Sequence, residues 1–255
     1  MGRLVLKRRI IPIELLDGGR LIKTVGFSIP RDVGDPVKSS QVYSDQDADE
    51  LVLLNISREY RDVASLAEVV SRIAQECFVP LTVGGGIRTL EDAVRLFLAG
   101  ADKVLVNSSA YSQPDLITEI GARYGQQAIV VGIDARSEPA GFALFSDCGR
   151  RREHISLSNH VTKVVATGAG EIMIQSIDRD GTMTGYDLDL LQAVIELSPV
   201  PVIAAGGAGD FMHLKQAFDI GADAAACGSL FNFGDNNPLR AKAFLKNYKI
   251  PLKHI

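Results

Sequence analysis

The stretch PLTVGGGIR at 80–88 returns as PVIAAGGAG at 201–209, 121 residues further on. The correspondence continues in register. GADK at 100–103 returns as GADA at 221–224, and Ser108 returns as Ser229. One such match could arise by chance. A match that runs through an apolar run, a glycine-rich turn, an amphipathic stretch, a second apolar run and a polar turn indicates an internal duplication.

The repeated unit sits in a longer alternation. Apolar runs lie at 10–15, 51–56, 80–83, 103–107, 128–134, 171–178, 201–205 and 223–228. They are nearly continuous, as strands buried on both faces of a parallel sheet are. Amphipathic segments separate them. SLAEVVSRIAQE at 65–76 puts Leu66, Val69, Val70 and Ile73 on one helical face, and TLEDAVRLFLAG at 89–100 begins on a capping Thr89 and stops at Gly100. Eight strand–helix units in 255 residues predict an α/β fold, a (β/α)8 TIM barrel built from two homologous half-barrels. No linker rich in Pro, Gly or Ser interrupts it, so 1–255 reads as a single barrel domain. The segment 137–155 reads as an inserted hairpin.

Composition narrows the function. Apolar residues make up 46% and charged residues 23%, which supports a large core and excludes general disorder. A net charge of −4 argues against a nucleic-acid binder. Cys77, Cys148 and Cys227 form no CxxC pair, which fits a reducing cytoplasm and no zinc site. His154, His160, His213 and His254 show no metal-ligand spacing, so no metal and no cofactor are expected. The N-terminal MGRLVLKRRIIP lacks the apolar core of a signal peptide, and no run approaches a membrane span.

In barrels of this class the active site lies at the C-terminal ends of the strands. Gly85 and Gly86 follow the third run, Asn107 and Ser108 the fourth, Gly206 and Gly207 the seventh, Gly228 and Ser229 the eighth. Glycine backbone lets an anion approach closely. Two symmetry-related sets therefore predict two phosphate sites and an elongated ligand with a phosphate at each end. Asp134 ends the fifth run and Asp180 follows the sixth, and both read as catalytic carboxylates. At the opposite end, Arg9, Glu50, Lys103 and Glu171 stand at strand starts. Two cations and two anions there can neutralise one another across the mouth, as a plug or as a gate for a small molecule.

The segments RRIIP, DGGRLIK, RDVGDPV, PLTVGGGIR, AGADKVLVNSSA, VVGIDA, GAGEIMIQSIDRDGTMTGYDLDL and GADAAACGSLF together resemble the cyclase subunit of imidazole glycerol phosphate synthase, from about Arg9 to Phe233. The resemblance implies a barrel paired with a glutaminase subunit. Ammonia released by that partner would pass a gate of Arg9, Glu50, Lys103 and Glu171 and meet a bis-phosphate substrate at the top, where an imidazole ring closes. It further implies a partner contact at Asp102, a catalytic role for Asp134, and phosphate binding at Gly86, Asn107, Gly207, Gly228 and Ser229.

The departures cluster at the substrate end. The family's other catalytic aspartate falls at Leu15. Glu14, next to it, belongs to the other face of an alternating strand and could substitute only if the strand slipped. Asn55 stands at an aspartate position, Gln175 at a threonine position and Ala205 at a serine position. RLIKTVGF, GSLF and the tail NNPLRAKAFLKNYKIPLK resemble a branch of the family that serves amidation of an N-acetyl sugar in surface-polysaccharide synthesis, which implies a sugar amidotransferase as further partner. Three functions are expected to compete: that diverged ammonia conduit, a working histidine-pathway cyclase, and a non-catalytic subunit that activates its glutaminase.

Overall fold

A computed structural model describes residues 7–57, 61–233 and 235–253. His254 and residues 1–6 of the N-terminal segment lie outside the described residues.

In chain order the strands are β1 (Arg9–Asp17), β2 (Arg20–Val25), β3 (Ser28–Gly34), β4 (Leu51–Asn55), β5 (Leu81–Gly84), β6 (Lys103–Val106), β7 (Ile129–Glu138), β8 (Gly141–Ser146), β9 (Arg151–Glu153), β10 (Glu171–Ser176), β11 (Val202–Ala205) and β12 (Ala224–Cys227). The helices are α1 (Pro36–Asp45), α2 (Val63–Glu76), α3 (Leu90–Ala99), α4 (Ser108–Ser112), α5 (Asp115–Tyr124), α6 (Leu157–Thr167), α7 (Leu188–Leu197), α8 (Phe211–Asp219), α9 (Ser229–Asn232) and α10 (Pro238–Lys246). Strands β1, β4, β5, β6, β7, β10, β11 and β12 pair in parallel, and β12 returns to β1, so the sheet closes into a (β/α)8 barrel.

The near-continuous apolar runs become strands because both faces are covered. Ile11, Ile13, Val52, Leu105, Val130, Met173, Ile203, Ala224 and Ala226 fill the barrel interior. Ile10, Leu51, Leu53, Val83, Val104, Val131 and Ile172 point outward beneath the helices. Helix α2 buries Leu66, Val70 and Ile73, with Val69 partly buried. Helix α3 starts on a capping box between Thr89 and Asp92 and ends at Gly100, whose φ of 112° only glycine adopts without strain.

The duplication shows in backbone conformation and hydrogen bonding. Gly85, Gly86 and Gly100 have positive φ, and so do their counterparts Gly206, Gly207 and Gly221. An Asp102 carboxylate oxygen accepts from Leu81 N at 2.8 Å, and Asp223 accepts from Val202 N at 3.0 Å, both pairs displaced by the same 121 residues.

Two extensions depart from eight simple units. Strand β7 runs past the barrel and pairs antiparallel with β8, which pairs with β9, so the 137–155 segment is a hairpin as expected. Strands β2 and β3 form a second antiparallel extension of β1, which the apolar runs did not indicate. It folds at Gly18–Gly19 and again at Gly26–Phe27, all with positive φ.

Candidate functional site

At the strand starts, Arg9, Glu50, Lys103 and Glu171 close a ring. Arg9 Nη1 lies 2.8 Å from Glu50 Oε2, and Arg9 also pairs with Glu171 through both guanidinium nitrogens. Lys103 Nζ reaches Glu50 at 3.0 Å and Glu171 at 2.6 Å. Each cation therefore touches both anions. Thr82 Oγ1 completes the shell of Glu50 at 2.6 Å. Burial works against ionised Glu171, but Arg9 and Lys103 outweigh it and hold its carboxyl below the usual range. A buried ring of charge is costly to assemble unless every member is paired, and here every member is. Asp102, on the same face, is exposed apart from its bond to Leu81 N. Phe78 (87% exposed), shortly before β5, and Leu98 (84%), near the end of α3, leave large apolar side chains in solvent.

Above the ring the interior is apolar until the opposite mouth. There Leu15, Leu54, Leu105 and Met173 form the floor of a cavity of about 1080 Å3. Asp134 points into it from β7. Its Oδ2 accepts from Asn107 Nδ2 at 2.9 Å. Burial pushes the Asp134 carboxyl up to about 7; the Asn107 bond opposes that rise and the nearby charge of Asp180 adds to it. A carboxyl near neutrality can both take and give a proton. Asn107, expected at a phosphate, thus holds Asp134, and its Oδ1 is buried without a partner.

Gly85, Gly86, Asn107 and Ser108 line the large cavity with Asp134. Gly206, Gly207, Gly228 and Ser229 line an adjoining one of only about 30 Å3, together with Lys23 and Asp180. Leu15 and Gln175 line both. Lys23, on β2, crowds the second cradle: a Cβ on Gly228 would stand 3.0 Å from Lys23 Cε. Ser229 Oγ is buried there with no partner.

Asp180 is the anchor of the β2–β3 extension. It accepts from Lys23 Nζ at 2.8 Å, Thr24 Oγ1 at 2.8 Å and Gln175 Nε2 at 3.2 Å, while its carbonyl accepts from Gly26 N at 2.9 Å. It is 3% exposed and lines the small cavity. Its partners Thr24 and Gln175 also line the chamber that holds Asp134. Its cation is Lys23, 157 residues away, and no local motif signals that pairing. Asp178, by contrast, accepts from Ser137 N at 3.2 Å, outside the chamber.

Glu14 faces away from the barrel interior. The β1 ladder runs without slip from Ile13 opposite Val52 to Leu16 opposite Asn55, so alternation sends Leu15 inward and Glu14 outward. Glu14 Oε2 accepts from Ser40 Oγ at 2.7 Å on α1, and Oε1 has no partner. Burial raises its carboxyl to about 7. It cannot act on a ligand in the chamber.

His160 is fully buried and stacks on Tyr111, with 3.9 Å between centroids, and burial lowers it to about 4. His213 Nδ1 accepts from Gly209 N and Asp210 N at the start of α8, and His154 is exposed. Among the described residues no group of three or more His, Cys, Asp or Glu is placed to hold a metal ion, and no helix is long and apolar enough to cross a membrane.

Comparison with known proteins adds an independent line. A family model described as "Histidine biosynthesis protein" matches residues 9–237. The chain is 44% identical over 246 residues to the imidazole glycerol phosphate synthase subunit HisF of Streptomyces coelicolor, covering 96% of this chain and 98% of the relative. The subunits of the same name from Frankia casuarinae and Streptomyces griseus are 42% and 43% identical, each again covering 96% of this chain and 98% of the relative.

Proposed function

The chain belongs to the histidine biosynthesis protein family, and from that premise we propose that it is the cyclase-type barrel subunit of a glutamine-dependent synthase, with 1–255 working as one unit. A glutaminase partner docks on the lower face and delivers ammonia through the ring of Arg9, Glu50, Lys103 and Glu171. The observation that carries this reading is the ring and what lies above it: a fully paired polar closure opening into an apolar interior that ends in a chamber lined by Asp134. Neutral ammonia crosses such an interior at little cost, whereas ammonium would have to be desolvated. Phe78 and Leu98, exposed just before β5 and near the end of α3, offer the apolar contacts that an interface core requires.

At the top, Gly85, Gly86 and Ser108 receive a phosphate of the substrate. Asp134 takes a proton from the incoming nitrogen and returns it to the leaving group. The relatives' names support ring closure in imidazole glycerol phosphate synthesis as the reaction. One observation favours a second reading, in which the barrel serves amidation of an N-acetyl sugar alongside a sugar amidotransferase. Leu15 and Gln175 stand where the family pattern has an aspartate and a threonine, and these two side chains line both cavities.

The test is to give the purified chain the bis-phosphate intermediate of the histidine pathway with excess ammonium salt. Turnover supports ring closure. Binding without turnover assigns the conduit to a different acceptor. Absence of both binding and turnover refutes the phosphate chamber itself.

A further inference from the structure

On the Gly85–Gly86 side the chain places a cation of its own over the cavity and covers it with an anion of its own. Arg61 Nε donates to Ser57 O at 2.8 Å, Nη1 lies 2.6 Å from Asp147 Oδ1, and Nη2 lies 3.2 Å from Cys148 Sγ. The Arg61 backbone is pressed against the glycine turn: a Cβ on Gly86 would stand 2.8 Å from Arg61 O. Asp147 reaches in from the turn between β8 and β9, and its N–H donates to Ser108 Oγ at 3.0 Å. That turn holds Asp147 and Cys148 at φ of 53° and 54°, a conformation that side-chain-bearing residues rarely adopt. Gly149 follows, packed on Phe27. A carboxylate bonded to a guanidinium, on a backbone bonded to Ser108, occupies the approach an incoming phosphate would use.

The other arginines of the cavity are placed differently. Arg88 is exposed at the rim, and Arg151 is bonded to Ser146 and Glu153. Arg61 alone among these three is tied to the residue that lies over Ser108. A phosphate carries more charge and more acceptor oxygens than a carboxylate, and it matches the two-pronged guanidinium. The Asp147 side chain is 38% exposed, so solvent weakens its hold.

We propose that Arg61 is the phosphate clamp of this cavity and that Asp147 keeps it in reserve until a phosphorylated ligand takes the carboxylate's place. This rests on the reading that the chamber takes a phosphorylated ligand. On exchange, Arg61 leaves Asp147 and Cys148 and turns to the ligand held by Gly85, Gly86 and Ser108. Cys148 then loses its cationic neighbour, which gives a readout separate from activity, because Cys77 and Cys227 are buried.

Inorganic phosphate is titrated calorimetrically into the full chain, into Arg61→Met and into Asp147→Asn. Alkylation of Cys148 is followed by peptide mass spectrometry with and without phosphate. Asp147→Asn is expected to bind phosphate roughly tenfold more tightly than the parent chain, and Arg61→Met roughly tenfold more weakly. Phosphate is expected to change the Cys148 alkylation rate in the parent chain and not in Arg61→Met. Phosphate binding that is unaltered in Asp147→Asn, or equal in a folded Arg61→Met, overturns the clamp and leaves the chamber standing. Absence of phosphate binding in all three proteins overturns the phosphate reading and the clamp with it.

Discussion

Replacing Glu14 with glutamine should make the protein more stable at pH 8 and about 1 kcal/mol less stable at pH 4. Glu14 is 3% exposed, accepts one hydrogen bond from Ser40 and leaves Oε1 without a partner. Burial raises its carboxyl from 4.5 to about 7. A group whose folded pKa lies above its unfolded value binds its proton more tightly in the folded state. It therefore subtracts nothing well below the unfolded value, and its cost grows as the pH climbs through that window. Roughly two and a half pH units at about 1.4 kcal/mol each is about 3 kcal/mol at pH 8. An imperfectly bonded buried amide gives back about 1 kcal/mol, which leaves a net gain of about 2 kcal/mol. For a chain of this size that is roughly 4–8 °C in Tm. Paired urea denaturation of parent and variant at pH 8 and pH 4 reads the difference directly. A difference that does not change with pH, or a variant less stable at pH 8, refutes the reasoning. The same variant tests the orientation of β1. Turnover should stay within about twofold, because Glu14 faces α1; a loss of 10²-fold or more would place it in the chemistry.

Asp134→Asn should lower ammonium-dependent turnover by about 10²–10⁴ while leaving phosphate binding intact. In the parent chain, where Asp134 acts as a base, the rate should rise through its value of about 7, as a pH–rate profile would show. Lys242→Met should cost about 3–5 kcal/mol in denaturant unfolding at neutral pH. Lys242 is fully buried on α10, 2.8 Å from Asp47 and 2.9 Å from Asp49, and the change strands Asp49 next to the start of β4. Glu171→Gln removes one anion from the ring at Arg9 and Lys103. In the complex with a glutaminase subunit it should depress glutamine-driven turnover more than ammonium-driven turnover, measured side by side.

The barrel was legible because its strands are buried on both faces and read as unbroken apolar runs, and because the 121-residue repeat places corresponding turns in register. The ring was legible for a related reason: charges at strand starts have only one end of a barrel to occupy. The outward direction of Glu14 followed from strand alternation alone. What escaped the sequence are the contacts made across long loops. Strands β2 and β3 lie outside the barrel and carry polar residues such as Arg20, Lys23 and Arg31, so no apolar run announces them. Lys23 meets Asp180 across 157 residues and Arg61 meets Asp147 across 86. Both pairs are set by tertiary packing and have no local spacing to betray them. Equivalent glycine turns predict equivalent cradles, yet Lys23 packs against Gly228 and the cavity there is much smaller than the one at Gly85 and Gly86.

Ammonia is proposed to reach a chamber in which Asp134 and the apolar Leu15 meet the end of the barrel interior, with Asp17 and Asp147 elsewhere in its lining. The measurement that bears on it most directly is the rate of ammonium-dependent ring closure on the bis-phosphate intermediate. It is compared among this chain, its Leu15→Asp variant and the Streptomyces coelicolor subunit under the same conditions. Ring closure in this chain predicts binding and ammonium-dependent turnover of the intermediate, slower than in that relative, with part of the difference recovered by Leu15→Asp. Binding of the intermediate with no turnover, in this chain and in Leu15→Asp alike, would contradict it.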